Sequence, residues 1–302
     1  MRIFIDTAEL TEIKEAYSWG IVDGVTTNPS LIKKAVDARD RVNLEEYIEE
    51  ILRTVDGPVS LEVIGLTSDE MIDEGKHLYD KFNSVNDNVV IKIPINTSTE
   101  GGESENYAGL KAISELSSQG IPVNTTLIMK PEQALLAAKA GAHYVSPFAG
   151  RIDDYIRSNV GLERGEDYPK EAHHDPSLMD RALDFAEESV EDEISGGQLE
   201  DVYSDERLRD LRNRARDEGV RSGAESVRSI KTVFDNYDFQ TEVLAASIRN
   251  SRQVREVAEV GADVATLPFT VIEEMLEHYK TGEGILSFSG DVVPEYRNLF
   301  AQ

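Results

Sequence analysis

Residues 88–95 read NVVIKIPI, an apolar run broken by one charge, Lys92. Side chains alternate along a strand, so Val90, Lys92 and Pro94 share one face and Val89, Ile91 and Ile93 the other. A lysine in such a run is costly to bury unless it is paired or neutral. Moving outward, the same unit recurs: a short apolar run, then a helix-length amphipathic segment. The strand pattern falls on Arg2–Asp6, 25–27, 59–64, 88–93, 122–127, 143–147, 242–246 and 263–267. The helical pattern falls on 8–17, Leu44–Thr54, Ser68–Phe82, 106–117, 131–140, 251–260 and 271–279. Gly120, Gly141 and Gly261 stand where helices should stop, and Pro131 suits a first helical turn. Eight strand–helix units predict an α/β fold, a single (β/α)8 TIM-type barrel spanning 1–302.

One unit breaks the rhythm. Residues 158–221, between strands six and seven, are dense in charge and are expected to be an acidic insertion in the sixth unit. Within them 161–175 (GLERGEDYPKEAHHD) reads as loop, while 178–194 and 206–216 can form helices with i,i+3 and i,i+4 charge pairs. The insertion is expected on the face that carries the site, either as a partial lid or as a solvated acidic appendage. A smaller insertion, 96–105, follows strand four.

The 302-residue chain is 40% hydrophobic, enough for a large core, and has no apolar run of membrane-spanning length. Its N-terminus, MRIFIDTAEL, turns polar at once, which argues against a signal peptide and for a cytoplasmic protein. Cysteine is absent, which excludes disulfides and thiolate chemistry. The formal net charge is -27. Nucleic acid and anionic membranes are therefore not expected as partners, and the surface suits a high-salt, halophilic cytoplasm. An anionic substrate would need local arginines.

Four strands carry an ionisable group at or just past the C-terminal end: Asp6 in RIFID, Glu62 in SLEVI, Lys92, and Arg151 in VSPFAGR. Barrel active sites are assembled at that face from several strands. Burial frees a lysine amine to attack a carbonyl; the competing account of Lys92 is a structural ion pair with Glu62 or Asp6. Asn28, Asn124 and Thr126 also end strands, where such residues often only cap the next helix. Arg151 and Arg249, each a surface residue when taken alone, would with Ser247 form a two-point phosphate clamp. His173 and His174 beside Asp175 read as exposed loop or as a metal site. No P-loop and no GxGxxG pattern occurs.

Several stretches, in order, resemble the transaldolase family, especially its short microbial branch: IDTAEL (5–10), GVTTNPSLI (24–32), IKIP (91–94), GIPVNTTLI (120–128), AAKAGAHYVSPFAGRIDD (137–154) and LAASIRN (244–250). The resemblance implies an α/β barrel that moves a dihydroxyacetone unit between sugar phosphates and needs no cofactor or metal. It implies that Lys92 is the Schiff-base lysine and Asp6 the acid/base, with Glu62 and Thr126 holding the assisting water. It places Asn28 and Asn124 on substrate hydroxyls, Ser146 and Phe148 at the substrate, and Arg151, Ser247 and Arg249 on the phosphate. A homo-oligomer is expected.

Related fructose-6-phosphate aldolases release free dihydroxyacetone and carry glutamine in place of Glu62 and tyrosine in place of Phe148. Both positions here resemble transaldolase. The alternatives are such an aldolase, a transaldolase for another anionic sugar such as a sulfosugar, and a sugar-phosphate-binding barrel without catalysis.

Overall fold

A computed structural model describes residues 1–37, 39, 43–98, 106–191, 206, 210 and 213–300. Eight parallel strands close into a barrel in sequence order. They are β1 (Arg2–Asp6), β2 (Gly24–Thr26), β3 (Val59–Glu62), β4 (Val89–Pro94), β5 (Val123–Ile128), β6 (Tyr144–Pro147), β7 (Glu242–Ala245) and β8 (Val264–Leu267). The surrounding helices begin with α1 (Leu10–Ser18), α2 (Pro29–Asp37), α3 (Leu44–Thr54), α4 (Ser68–Phe82), α5 (Ala108–Ser118), α6 (Pro131–Lys139) and α7 (Ala149–Asn159). There follow α8 (Pro176–Glu191), α9 (Gly223–Asn236), α10 (Ser251–Glu259), α11 (Phe269–Glu274), α12 (Tyr279–Gly290) and α13 (Pro294–Asn298).

The alternation expected for 88–95 holds. Ile91 and Ile93 pack outward into the main strand–helix core, while Val90 packs inward with Phe4, Tyr144, Leu244 and Val264. That inner cluster fills the lower barrel, so the barrel is a packed core and not a pore. Beneath it Arg2 pairs with Glu242, and its guanidinium lies 5.8 Å from the Phe4 ring centroid and 5.9 Å from that of Tyr144. Above it the lining turns polar. Gly120, Gly141 and Gly261 follow α5, α6 and α10 with φ of 78°, 99° and 90°, the left-handed region that ends a helix.

Three expectations need correction. Strand three ends at Glu62 instead of 64, because Ile64 and Gly65 donate their N–H groups to Glu74 Oε2 at 2.7 and 2.8 Å and leave the ladder. The helix expected at 271–279 is two helices. The chain turns after Glu274, and His278 caps α12 by accepting from Lys280 N at 3.1 Å. The third concerns 158–221, whose first two residues still belong to a barrel helix. Helix α7 starts before it and runs to Asn159, while α9 begins just after it at Gly223. The helix expected at 178–194 is α8 as far as Glu191, whereas 192–194, 207–209, 211–212 and 99–105 lie outside the described residues.

Candidate active site

Strand register brings the polar groups together. Glu62 of β3 is in register with Lys92 of β4, and Lys92 with Asn124 of β5. Lys92 is 6% exposed. Its Nζ lies 2.9 Å from Glu62 Oε2 and donates to the Thr27 carbonyl at 3.1 Å. Across the barrel, Thr26 donates to Asp6 Oδ1 at 2.7 Å and sits 2.6 Å from the Thr266 hydroxyl. Asn124 donates to Ser60 Oγ at 3.2 Å and accepts from Ser146 Oγ at 2.7 Å. Burial pushes the Asp6 carboxyl above the ordinary carboxylate range, against the opposing pull of the Lys92 ammonium and the Thr26 hydrogen bond.

These groups floor a cavity of about 830 Å³ at the carboxyl end of the barrel. Asp6, Asn28, Lys92, Asn124, Ser146, Phe148, Arg151, Ser247 and Arg249 all line it, so nine of the eleven expected site residues meet in one place. Glu62 and Thr126 do not. Glu62 approaches Lys92 from behind and lines a second, apolar cavity of about 860 Å³ with residues of α2, α3 and α4. Thr126 is buried, and its hydroxyl has no hydrogen-bond partner. A buried hydroxyl without a partner is free to hold water. Asn28 lines the cavity and also caps α2, accepting from Leu31 N at 2.9 Å.

At the outer end Arg249 is partly buried, its side chain 13% exposed, and is not the surface residue expected of it alone. It donates to Asp154 Oδ2 at 3.0 Å, and burial pushes its pKa down. Ser247 holds a left-handed φ of 61°, which is unfavourable for serine by roughly 1–3 kcal/mol. Gly150 lets Arg249 settle against α7: a β-carbon there would lie 2.1 Å from the Ser247 carbonyl and 2.6 Å from Arg249 Nε. Arg151 lines the same cavity but is exposed, its guanidinium 4.9 Å from the Phe148 ring centroid.

Asp154 was not singled out in the sequence. It takes Arg249 and Arg164 on one oxygen, each at 3.0 Å, and the Tyr168 hydroxyl on the other at 3.3 Å. Its spacing from Arg151, three residues on α7, was the available signal. The expectation that His173 and His174 lie exposed is wrong. His174 is 5% exposed and bonds the Arg221 carbonyl at 3.0 Å, which ties the loop to the start of α9. Burial, then Arg252, lowers the His173 pKa to about 4. Among the described residues no group of His, Cys, Asp or Glu could hold a metal ion.

A buried lysine beside a carboxylate thus stands at the carboxyl end of a parallel barrel, the face on which barrel enzymes assemble their active sites. The family described as transaldolase/fructose-6-phosphate aldolase matches residues 3–189 and 197–299. A probable transaldolase of Aquifex aeolicus is 38% identical over 297 residues, covering 98% of this chain and 99% of that protein. One from Caldicellulosiruptor saccharolyticus is 41% identical over 292 residues, with 96% of each covered. One from Thermoplasma volcanium is 38% identical over 291 residues, covering 96% and 95%. The chain belongs to the transaldolase/fructose-6-phosphate aldolase family and is an enzyme of transaldolase type.

Proposed function

We propose that this enzyme transfers a dihydroxyacetone unit between sugar phosphates, the chemistry of the pentose phosphate pathway, through an imine on Lys92. The observation that carries the reading is Lys92 Nζ, buried at the floor of the cavity and 2.9 Å from Glu62 Oε2. Glu62 is placed to take a proton from the ammonium, leaving an amine that attacks the C2 ketone of fructose 6-phosphate or sedoheptulose 7-phosphate. The carbinolamine loses water to give the protonated imine, and water held near Glu62 and the Thr126 hydroxyl assists. The imine draws electrons, so the C3–C4 bond breaks once Asp6 takes the C4 hydroxyl proton. The aldose phosphate leaves, and dihydroxyacetone remains as the enamine. An acceptor such as erythrose 4-phosphate or glyceraldehyde 3-phosphate then takes the C3 carbon, Asp6 returns its proton, and water releases the new ketose from Lys92. In this reading Asn28, Asn124 and Ser146 take hydroxyls of the three-carbon unit, and Arg151, Ser247 and Arg249 take the phosphate; all six line the cavity.

Transfer is favoured over release because Phe148 offers no proton. A tyrosine there could protonate the enamine carbon and discharge it as free dihydroxyacetone. With fructose 6-phosphate and erythrose 4-phosphate, sedoheptulose 7-phosphate should form far faster than dihydroxyacetone appears without the acceptor. Comparable rates would place the enzyme among the aldolases. Phe148→Tyr should shift the ratio toward release; an unmoved ratio would discharge the ring from that role.

We also read the chain as a cytoplasmic homo-oligomer. No helix among the described residues is long and apolar enough to cross a membrane. Helices α12 and α13 bury no residue, and Ile285, Leu286, Phe288 and Phe300 stand 61–77% exposed. Apolar surface of that kind marks an interaction site. Light scattering should give a multiple of 33.6 kDa, with association stronger in high salt, where the repulsion of copies at -27 is screened. A monomer at all salt concentrations would sink this reading.

A further inference from the structure

The barrel does not supply the whole cavity wall. Leu162, Glu163, Arg164, Tyr168 and Lys170, from the loop joining α7 to α8, complete it. The lining carries Lys92, Arg151, Arg164, Lys170 and Arg249 against Asp6, Asp154 and Glu163. In a chain of net charge -27 this is a local cationic field, the opposite of the surface around it.

Most of these cations are already engaged. Lys92 faces Glu62, and Arg164 and Arg249 share Asp154. Two remain: Arg151 and Lys170 make no ion pair or hydrogen bond among the described residues. A phosphate monoester carries about -1.5 to -2 charges at neutral pH, so it needs about two cations to balance it. The Asp154 carboxylate beside Arg249 works against a second anion there, which shifts the demand onto the two free cations.

Lys170 is also held in place. The Tyr168 hydroxyl donates to Asp154, and the Arg157 guanidinium lies 4.1 Å from the Tyr168 ring centroid. On the other side, the Glu171 carbonyl accepts from Asn250 Nδ2 at 3.0 Å and the Ala172 carbonyl from Arg157 Nη2 at 3.0 Å. The backbone around Lys170 is thus pinned to α7 and to the start of α10, while its ammonium stays uncommitted. Lys170 lines the cavity, and its charge, after Lys92 and Thr26, helps to offset the effect of burial on Asp6.

We propose that Lys170 is a substrate-binding residue of this enzyme, an ammonium from the α7–α8 loop that holds the anionic end of the sugar together with Arg151. This rests on the reading of the cavity as a sugar-phosphate site, and it adds a cation that none of the barrel strands provides. It also gives the loop a role in recognition: the wall that closes the cavity is the wall that reads the phosphate.

The test compares Lys170→Met, which keeps most of the stem and removes the charge, with Lys170→Arg, which retains it. Arg151→Ala serves as the reference. Lys170→Met should raise KM for fructose 6-phosphate about tenfold or more, the scale of one charge-assisted contact. It should change KM for unphosphorylated dihydroxyacetone far less, and Lys170→Arg should restore most of the loss. Equal effects on both substrates would overturn the proposal. So would an unchanged KM with only the acid limb of the pH–rate profile displaced, which would confine Lys170 to its field on Asp6. Calorimetric binding of inorganic phosphate needs no turnover and separates this proposal from the proposed activity. Phosphate binding that weakens about tenfold in Lys170→Met, in a protein that transfers nothing, would sink the activity and sustain Lys170. A transferring enzyme whose phosphate binding ignores Lys170 would do the reverse.

Discussion

Lys92→Arg is expected to lower kcat by roughly ten-thousand- to a million-fold, the scale seen when a covalent nucleophile is removed. Arginine keeps the positive charge next to Glu62, but guanidinium stays protonated at any accessible pH and cannot form an imine. Charge retention matters for the control. Removing one partner of a buried ion pair leaves an uncompensated charge, at a cost of about 3–5 kcal/mol, so Lys92→Ala would confound catalysis with folding. The measurement is borohydride trapping with fructose 6-phosphate, followed by mass spectrometry of the labelled peptide. The wild-type enzyme should carry the reduced adduct on Lys92, and the arginine variant should carry none while remaining folded by circular dichroism. Label on another lysine, with Lys92 unmodified, would remove the nucleophile from this position and the transfer mechanism with it. The same experiment separates an enzyme from a barrel that only binds sugar phosphates, since only a working amine forms a reducible adduct.

The strand positions were legible because alternation in a barrel is strict. Residues 88–95 alone put Lys92 on the face opposite Ile91 and Ile93; the register that pairs it with Glu62 and Asn124 came only with the structure. Helices α7 and α9 were not legible. They flank the charge-dense stretch 158–221, whose acidic and basic residues hide an apolar face made of Ile152 and Ile156 in one helix and Val227, Ile230 and Phe234 in the other. The loop wall was beyond periodicity altogether. Nothing in GLERGEDYPKEAHHD says that Tyr168 will reach Asp154 or that Asn250 will hold the Glu171 carbonyl, because these are tertiary contacts between elements distant in the chain. Of that stretch, Leu162, Glu163, Arg164, Tyr168 and Lys170 line the cavity. Asp154 illustrates the same limit from another side. A carboxylate beside the proposed phosphate clamp looks misplaced in sequence, yet it pairs with Arg249 and Arg164 and neutralises part of their charge.

Asp6→Asn should lower kcat by about a hundred- to ten-thousand-fold, the usual worth of a general acid–base group, while leaving the Lys92 adduct trappable. The amide keeps the shape and can still accept from Thr26, but it cannot take the C4 hydroxyl proton. The adduct should therefore accumulate with uncleaved fructose 6-phosphate. The pH dependence carries a second, independent signature. Burial raises the Asp6 pKa in the folded enzyme, so its ionised form is the less stable one there. In the sign that follows, folding stability falls as pH rises from the ordinary carboxylate value through the raised one, because the folded state binds the extra proton across that window. Cleavage needs the ionised form, so activity should climb over the same range, with its acid limb above the usual carboxylate value. Asp6→Asn should abolish that limb. It should also hold its melting temperature across the window where the wild-type enzyme loses stability, so that at neutral pH the crippled variant is at least as stable as the parent. A variant with normal turnover, or one that unfolds more readily at neutral pH than at acid pH, would mean that Asp6 supports the barrel and does not serve the reaction. Retained stability with lost cleavage would assign the strain of that buried carboxylate to catalysis.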